Sequence, residues 1–319
     1  AMARVGLRTI PGVYKHLGDV LTPEELVRLS TTTFALFTGM SSEEFARQHM
    51  HVVASTQPSL ERTDKLPRVV TLTVNTSLDF TADFAQFPVQ PGTDRGAYAI
   101  EPGGKGIDMS IALTDWGEAV ITTGFVGGPS GDMLVALLEQ RGISTGCLTR
   151  VAEATRIDMS IHVGGKDQIH ITTRGPFISE QERSYLEANL WQYLEKGDFL
   201  LICGSLPPGL PEDYYSRLIS EAKRRGIRVY VDTRGAALAL AIAGQPHFLG
   251  VNLNEFAGYL TVEPSQLRSN LNQVAKYSEE LVRRGIEIVV ISMGADGMLM
   301  SAAGASWRAY SQKSQTMRK

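Results

Sequence analysis

The chain is predicted to fold as an α/β protein with a mostly parallel β-sheet, and three features of its 319 residues support this class. From Arg68 onward, short β-branched runs alternate with helical patterns. Apolar runs of about 4–8 residues separated by helices of about 10 or more residues are typical of repeated βαβ units. The runs are continuously apolar, as in strands that helices cover on both faces. Two further stretches interrupt the alternation and predict a smaller second sheet.

The main-sheet segments follow one another along the chain. Strands are predicted at "RVVTLTV", "VITTGFVG", "FLLICGS", "IRVYVDT" and "IEIVVISMG", and helices at "DMSIALTDWG", "GDMLVALLEQRG" and "YYSRLISEAKRRG". The interrupting stretches are "GAYAIEPG" and a hairpin at 156–173 that turns at 164–167. They predict an accessory sheet with strands near 93–101 and 156–173, placed to act as a lid.

The pentapeptide "IDMSI" occurs twice, at 107–111 and at 157–161. Glycines precede the first copy and "ALTDWG" continues it, which predicts a helix. Alternating residues follow the second copy, which predicts a strand. Context therefore outweighs local propensity for this stretch.

Residues 1–55 are predicted to be a helical segment in front of the α/β pattern. "LTPEELVRLSTTTFALFTGMSSEEFARQHMHVVAS" contains two helices, and Thr22 caps the first of them ahead of an acidic first turn. Residues 56–67, "TQPSLERTDKLP", are polar and rich in turn formers, so they are predicted to be a linker. The α/β domain then occupies residues 68–319.

Composition excludes several classes of function. The formal net charge is −3 and 20% of the residues are charged, so no basic balance indicates a nucleic-acid partner or an anionic membrane surface. Cys147 and Cys203 lie far apart and provide neither a disulfide framework nor a multi-cysteine zinc site. No apolar run approaches the roughly 20 residues that cross a bilayer. These features predict a soluble, cytoplasmic protein.

The stretch "EPGGKGIDMS" contains the first candidate site. Gly103, Gly104 and Gly106 let the backbone approach an anion, the following helix directs its N-terminal N–H groups toward it, and Lys105 adds a positive charge. The spacing is not that of a Walker A loop. Taken alone, Gly-Gly-Lys-Gly is more often a plain loop.

Further candidate sites follow predicted strands, where ligands bind in open parallel sheets. They are the turn "GSLPPGLPEDYY", Asp232 at the end of a strand, and "VNLNEF". Asn252 and Glu255 have the side chains and spacing to hold Mg²⁺ through water. The alternative for this pair is a capped helix start. Gly294 and Gly297 provide a bare backbone on which a nucleotide can lie.

These pieces, in order, resemble the PfkB (ribokinase-like) carbohydrate kinases, and within them the branch of 1-phosphofructokinase and tagatose-6-phosphate kinase. The matching motifs are "VTLTVNTSLDFT", "GGKGIDMSIALTDWG", "GFVGGPSGD", "GSLPPGLPEDYY", "VDTRGAAL", "NLNE" and "SMGADG". The resemblance covers residues 68 to about 309. It implies a ribokinase-like three-layer α/β/α fold and transfer of the ATP γ-phosphate to fructose 1-phosphate, fructose 6-phosphate or tagatose 6-phosphate.

The resemblance also implies roles for individual residues. Sugar hydroxyls are expected at Asp79, and the sugar or its phosphate at the loop that contains Gly103, Gly104, Lys105 and Gly106. The phosphate is expected to bind Arg95 and Arg156, because a guanidinium group matches phosphate oxygens; Arg174 is a weaker match. Mg²⁺ is expected at Asn252 and Glu255, and the nucleotide at Ser292, Gly294 and Gly297. A homodimer that pairs through the accessory sheet is also implied.

Four positions depart from the family pattern. Asp108 stands where the family has asparagine in the sugar site, and it adds a negative charge there. Thr76 replaces a proline. Gly250 and Val251 replace a Lys-Pro pair, so a cation near the nucleotide is missing.

The family's Gly-Ala-Gly-Asp turn, which supplies an anion hole and the catalytic base, has no counterpart after Trp307. The segment "YKHLGDVLTPEELVRLS" resembles the family's C-terminal section and contains Gly18 and Asp19. One hypothesis is a circular permutation in which Asp19 is the base. Two alternatives remain open: an unrelated helical extension, and a homologue that binds phosphosugar or nucleotide without turnover.

Overall fold

A computed structural model describes residues 67–85, 96–163 and 167–309 of the chain. The predicted helical segment 1–55, the linker up to residue 66, and the candidate residues Asp19 and Arg95 lie outside the described residues.

The main sheet has nine strands, and seven neighbouring strands in it are parallel. From one edge to the other it contains β13 (Ala305–Ala309), β12 (Met298–Ala302), β11 (Ile288–Ser292), β10 (Phe248–Asn252), β9 (Arg228–Asp232), β8 (Phe199–Cys203), β1 (Val69–Thr73), β4 (Val120–Gly127) and β5 (Leu148–Val151). Only the edge strands β12 and β13 are antiparallel. The predicted α/β class is therefore confirmed.

Helices follow most of these strands. They are α1 (Lys105–Asp115), α2 (Gly128–Gln140), α3 (Glu180–Leu190), α4 (Tyr214–Arg224), α5 (Gly235–Ala243), α6 (Leu253–Leu260), α7 (Pro264–Ser269) and α8 (Leu271–Arg283). Within the described ranges, no helix combines the length and apolar character needed to span a bilayer.

Alternating side chains of β8 show that helices pack on both faces of the main sheet. Leu200 and Ile202 are fully buried in the core that contains residues of α3, α4 and α6. Leu201 and Cys203 pack on the opposite face against Met109 of α1. A strand covered on both sides has no polar face, which explains the continuously apolar runs in the sequence.

The second sheet has four strands in the order β3 (Ala97–Gly103), β2 (Ser77–Phe84), β6 (Arg156–Val163) and β7 (Asp167–Ile171). Its central strand β2 was not assigned to it from sequence, because "SLDFT" follows β1 after a short turn and continues the same residue pattern. One face of this sheet is apolar. Its base packs on the main body through Leu78, whereas Tyr98 is 70% exposed and Ile169 is 42% exposed.

The two copies of "IDMSI" adopt different structures, as predicted. The first lies in α1 and the second in β6. In α1, Ile107 and Met109 are buried against the rest of the fold, whereas in β6 Ile157 and Met159 lie on one face of the second sheet and Asp158 on the other. Tertiary packing selects the conformation of this pentapeptide.

Candidate active site

The carboxyl ends of five parallel strands meet at one edge of the main sheet. β1, β8, β9, β10 and β11 end there, and the strand registers place Cys203 beside Asp232 and Asn252 beside Ser292. Ligands of open parallel sheets bind at this edge. The candidates Asn252 and Ser292, far apart in sequence, are therefore neighbours in the fold.

Lys105 lies at the centre of this edge. Its Nζ atom donates hydrogen bonds to Oδ1 of Asp232 and to Oε1 of Glu255, each at 2.6 Å. Burial lowers the pKa of Lys105, but the two carboxylates outweigh burial and the net pKa is raised. Burial raises the pKa of Asp232 to about 6, although Lys105 opposes this change. The cluster thus contains one ammonium group between two carboxylates.

The glycines around Lys105 have packing reasons to be glycine. Gly104 has a φ of 110°, which other residues rarely adopt. A side chain at Gly106 would collide with Thr73 Oγ1 and lie 3.2 Å from Cys203 Cβ, so α1 begins directly on β1 and β8. A side chain at Gly103 would collide with the carboxylate of Asp79. This close approach brings Lys105 to the strand ends.

Asn252 and Glu255 form a capping box at the start of α6. Oδ1 of Asn252 accepts a hydrogen bond from the Glu255 N–H at 2.9 Å, and Oε2 of Glu255 accepts one from the Asn252 N–H at 3.0 Å. The helix-cap interpretation therefore holds for this pair. It does not exclude a functional role, because the second carboxylate oxygen of Glu255 binds Lys105.

A second group of polar residues lies where the second sheet meets the main one. Asp79 of β2 lies opposite Asp158 of β6 in the strand register, and Oδ1 of Asp79 accepts a hydrogen bond from Ser77 at 2.7 Å. Burial is the largest cause that raises the pKa of Asp79, and the negative charge of Asp158 adds to it. Arg156 forms a buried ion pair with Asp158 and is thereby neutralised.

Asp108 in the first turn of α1 is close to this group. More than a third of the residue's surface is open to solvent, yet removal of its carboxyl group from water is the largest cause that raises its pKa to about 7. The charges of Asp79 and Glu101 contribute to this increase. Asp108 therefore changes charge near neutral pH.

Asn75, just after β1, links the two groups. Its Nδ2 donates a hydrogen bond to Ser205 Oγ at 3.1 Å, but its Oδ1 has no hydrogen-bond partner in the described part of the chain. The residue is 8% exposed. A buried carbonyl oxygen without a partner is costly, so a ligand hydroxyl at this position would be favourable.

The candidate nucleotide turn follows β11. Gly294–Asp296 form a single 3₁₀ turn, and the Met293 N–H closes it with a 2.8 Å hydrogen bond to the carbonyl of Gly297. Gly294 and Gly297 have φ angles of 62° and 87°. A side chain at Gly294 would meet nothing within 4 Å, so the backbone there is open to a ligand.

The structure therefore brings together most of the residues predicted for the site. Asp108 lies in the first turn of the helix that Lys105 begins, and Lys105 binds Glu255 at the strand ends. Asn252 lies beside Ser292 there, whereas Asp79 and Arg156 belong to the second sheet. Sequence analysis noted Asp232 as a strand end and Ser205 only as part of a candidate turn, and it did not assign Asn75 or Asp158 to the site. The sequence feature that could have assigned Asp232 to the site was its position at the end of a buried strand.

Three comparisons with known proteins agree with this geometry. The sequence profile described as "pfkB family carbohydrate kinase" matches residues 75–317. A 1-phosphofructokinase from Bacillus subtilis strain 168 is 31% identical over 234 residues, which cover 73% of this chain and 74% of the relative.

Solved structures give the same result. Phosphofructokinase-2 from Escherichia coli, in complex with substrates and products, has a TM-score of 0.70 at 30% identity, with 78% of this chain and 81% of that chain covered. The same enzyme has been solved in a tetrameric inhibited form. A ribokinase from Thermotoga maritima has a TM-score of 0.56 at 18% identity, with 78% of this chain and 79% of that chain covered, which supports the shared fold.

Proposed function

The chain belongs to the pfkB family of carbohydrate kinases, and from that premise we propose that it transfers the γ-phosphoryl group of ATP to a hydroxyl of a phosphorylated ketohexose. The observation that carries this proposal is the position of Lys105. It contacts both Asp232 and Glu255 at the strand ends, and it lies two residues after Gly103, which packs directly on the carboxylate of Asp79. A cation at this position can contact the phosphoryl group that moves from one side to the other.

The sugar-side residues have complementary tasks in this proposal. Asp79 and Asn75 accept hydrogen bonds from sugar hydroxyls, since a carboxylate and an unpaired amide oxygen are both acceptors. Ser205, fixed by Asn75, lies beside them. Closing the second sheet over the sugar would exclude water and limit hydrolysis of ATP.

Asp232, Asn252 and Glu255 fit a hydrated Mg²⁺ bound together with the nucleotide. Oδ2 of Asp232 accepts no hydrogen bond from the described part of the chain, and hard oxygen ligands suit this ion. Among the described residues no group of three or more His, Cys, Asp or Glu side chains surrounds a metal position, so in this proposal water and phosphates would complete the coordination of the ion. When bound, the ion would neutralise charge on the phosphates.

A coupled assay of ATP consumption tests the proposed function. Fructose 1-phosphate, fructose 6-phosphate and tagatose 6-phosphate are the acceptors, and fructose is the control without a phosphate. Turnover with at least one phosphosugar, and a bisphosphate product by ³¹P NMR, is the expected result. If no phosphosugar supports turnover although ATP and phosphosugar both raise the melting temperature, the chain binds these ligands without catalysis.

The KM for the phosphosugar should depend on pH because Asp108 ionises near neutral pH. Because the pKa of Asp108 is raised to about 7, the group is neutral below that pH and adds a negative charge above it. The KM for the phosphosugar should therefore rise by a few-fold between about pH 6 and pH 8, and Asp108→Asn should remove this rise. Ionisation of the substrate phosphate is common to both proteins and cancels in the comparison.

Asp132→Asn is the matched control for this experiment, because Asp132 is an exposed carboxylate of α2 that pairs with Arg150. It should keep the wild-type profile. An unchanged profile in Asp108→Asn would show that another group determines the pH dependence.

We also propose that the chain forms a homodimer through the apolar face of its second sheet. Tyr98, Ile157, Ile169 and Ile171 share this face and are each at least 42% exposed. Burial of such a face against a second copy is favourable. The tetrameric form of the E. coli relative shows that assembly occurs within the family.

Tyr98→Lys should convert this dimer to a monomer in sedimentation velocity at micromolar concentration, because it places a charge in the apolar interface. Tyr185→Lys is the control, since Tyr185 is 61% exposed on α3, outside the second sheet. A wild-type monomer, or equal assembly of the two variants, would contradict the proposed interface.

A further inference from the structure

One face of the main sheet contains an apolar cluster whose members all come from strands. The most buried members are Phe248, Ile288, Val290, Met298 and Ala302, and Phe199, Tyr230, Met300, Trp307 and Ala309 pack against them. These residues belong to β8–β13, and no helix in the described ranges contributes a residue to the cluster. The helix α1 packs on the adjoining area of the same face, over β8. The area over β9–β13 therefore has no helical layer in the described part of the chain.

The strand registers show that the cluster occupies a single face. Phe248 lies beside Ile288, and Met300 lies opposite Trp307. Leu299, next to Met300 in β12, belongs to the other face, where it packs in the core that contains residues of α6 and α8. Helices of the described part thus cover β10–β12 on one face only, although both faces of these strands are apolar.

The low exposure of the cluster indicates that a further layer covers it. Phe248, Ile288 and Val290 are 3%, 2% and 5% exposed. Neighbouring strands shield the sides of such a side chain, but its tip stands away from the sheet and stays open to water unless another element packs on it. The covering element therefore comes from outside the described residues.

The size of the uncovered area determines how much chain is needed. Neighbouring strands lie about 4.8 Å apart, so β9–β13 span about 19 Å. Each of these strands has 5 residues, which corresponds to a length of about 17 Å. An α-helix with its side chains is about 10 Å in diameter and rises 1.5 Å per residue, so two helices of about 11 residues cover this area.

Residues 22–55 are the segment that can supply two such helices. The first predicted helix has Leu26, Leu29 and Leu36 on one face, and the second has Ala46, Met50 and Val53 on one face. Residues 310–319 have room for one short helix and contain Tyr310 and Met317 as their large apolar residues. The internal ranges 86–95 and 164–166 connect strands of the second sheet.

We propose that residues 22–55 pack as two helices on the face of the main sheet formed by β9–β13. This inference goes beyond the proposed function, and it holds whether or not Asp19 is the catalytic base. Residues 56–67 connect the segment to β1, and about 12 extended residues reach about 40 Å. β11 lies four strands from β1, a distance of about 19 Å, so the connection is long enough.

A photo-cross-linking residue on this face of the full chain tests the proposal. Trp307 is replaced by p-benzoylphenylalanine, the protein is irradiated, and cross-linked peptides are identified by mass spectrometry. A cross-link from position 307 to a peptide of residues 22–55, in a product of monomer size, is the expected result. The same residue at Tyr185 is the control, since Tyr185 is exposed on α3 and lies outside this face; it should give no such cross-link. A cross-link to residues 310–319, a cross-linked dimer, or no cross-link in the folded variant would overturn the proposal.

Thermal unfolding of Leu36→Lys and Thr31→Lys is the second measurement. Both substitutions introduce lysine into the same predicted helix, but Thr31 lies on the face opposite to Leu36. Leu36→Lys should lower the Tm by roughly 5–10 °C because it places a charge against the sheet, and Thr31→Lys should lower it by less than about 2 °C. Equal Tm values for the two variants would contradict packing through this helix face. Neither measurement depends on turnover, so its outcome is separate from that of the kinase assay.

Discussion

Lys105→Met is expected to lower kcat/KM for the phosphosugar by about 10³-fold, with most of the loss in kcat. In the proposed site, Lys105 contacts Asp232 and Glu255 at the strand ends, and the loop before it packs on Asp79. Mg²⁺, when bound, would attract the carboxylates of Asp232 and Glu255, and the nucleotide phosphates would attract the Lys105 ammonium group. A methionine has similar length and supplies no charge to the transferring phosphoryl group.

The same substitution should reduce stability, because Asp232 and Glu255 then face each other without a cation. Their side chains are 21% and 11% exposed. Lys105 is 35% exposed, so solvent screens part of this repulsion. A fall in Tm of a few degrees is expected, and the double variant Lys105→Met with Asp232→Asn should recover the Tm without recovering activity.

Steady-state kinetics and thermal unfolding of the single and double variants therefore separate catalysis from folding. Lys223→Met is the matched control, since Lys223 of α4 donates to the Gln245 carbonyl away from the strand ends. Activity of Lys105→Met within tenfold of the wild type would show that Lys105 has a structural role alone. Activity restored by the double variant would lead to the same conclusion.

The sheet and the position of the site could be predicted from sequence because both depend on local patterns. Continuous apolar runs specify buried strands, and strand ends specify where ligands bind. The ion pairs between Lys105 and the two carboxylates could not be predicted in this way. Lys105 is 127 residues from Asp232 and 150 from Glu255 in the chain, and no local pattern joins them.

The interpretation of Arg156 shows the same limit. The family resemblance implied that Arg156 binds the substrate phosphate, and this role stays a prediction. In the fold, Asp158 lies two residues further along β6, on the same face, and takes up its charge. In a β-strand, side chains two residues apart lie on the same face. The predicted strand therefore already implied that Arg156 and Asp158 are neighbours.

The two interpretations of Asn252 and Glu255, a Mg²⁺ site and a capped helix start, do not exclude each other. A capping box uses one oxygen of each side chain, and a carboxylate has a second oxygen for another partner. The cap fixes the orientation of Glu255, and the fixed carboxylate then binds Lys105. Local helix chemistry thus positions a residue of the site.

Asp19→Asn is expected to reduce kcat by about 10³-fold while ATP and phosphosugar still bind, because the attacking hydroxyl then lacks a proton acceptor. The assignment rests on the resemblance of Gly18-Asp19 to the Gly-Asp of the family's catalytic turn, and Asp19 lies outside the described residues. Among those, Asp108 is the competing base, since its pKa of about 7 suits proton transfer at neutral pH.

Parallel kinetics of Asp19→Asn and Asp108→Asn decide between these two carboxylates. Loss of kcat in Asp19→Asn alone, with calorimetry showing that both substrates still bind, would establish Asp19 as the base. A kcat that survives in Asp19→Asn but collapses in Asp108→Asn would assign proton transfer to the first turn of α1. In that case the aspartate that replaces the family's asparagine would be the functional substitution, because only a carboxylate there can accept a proton.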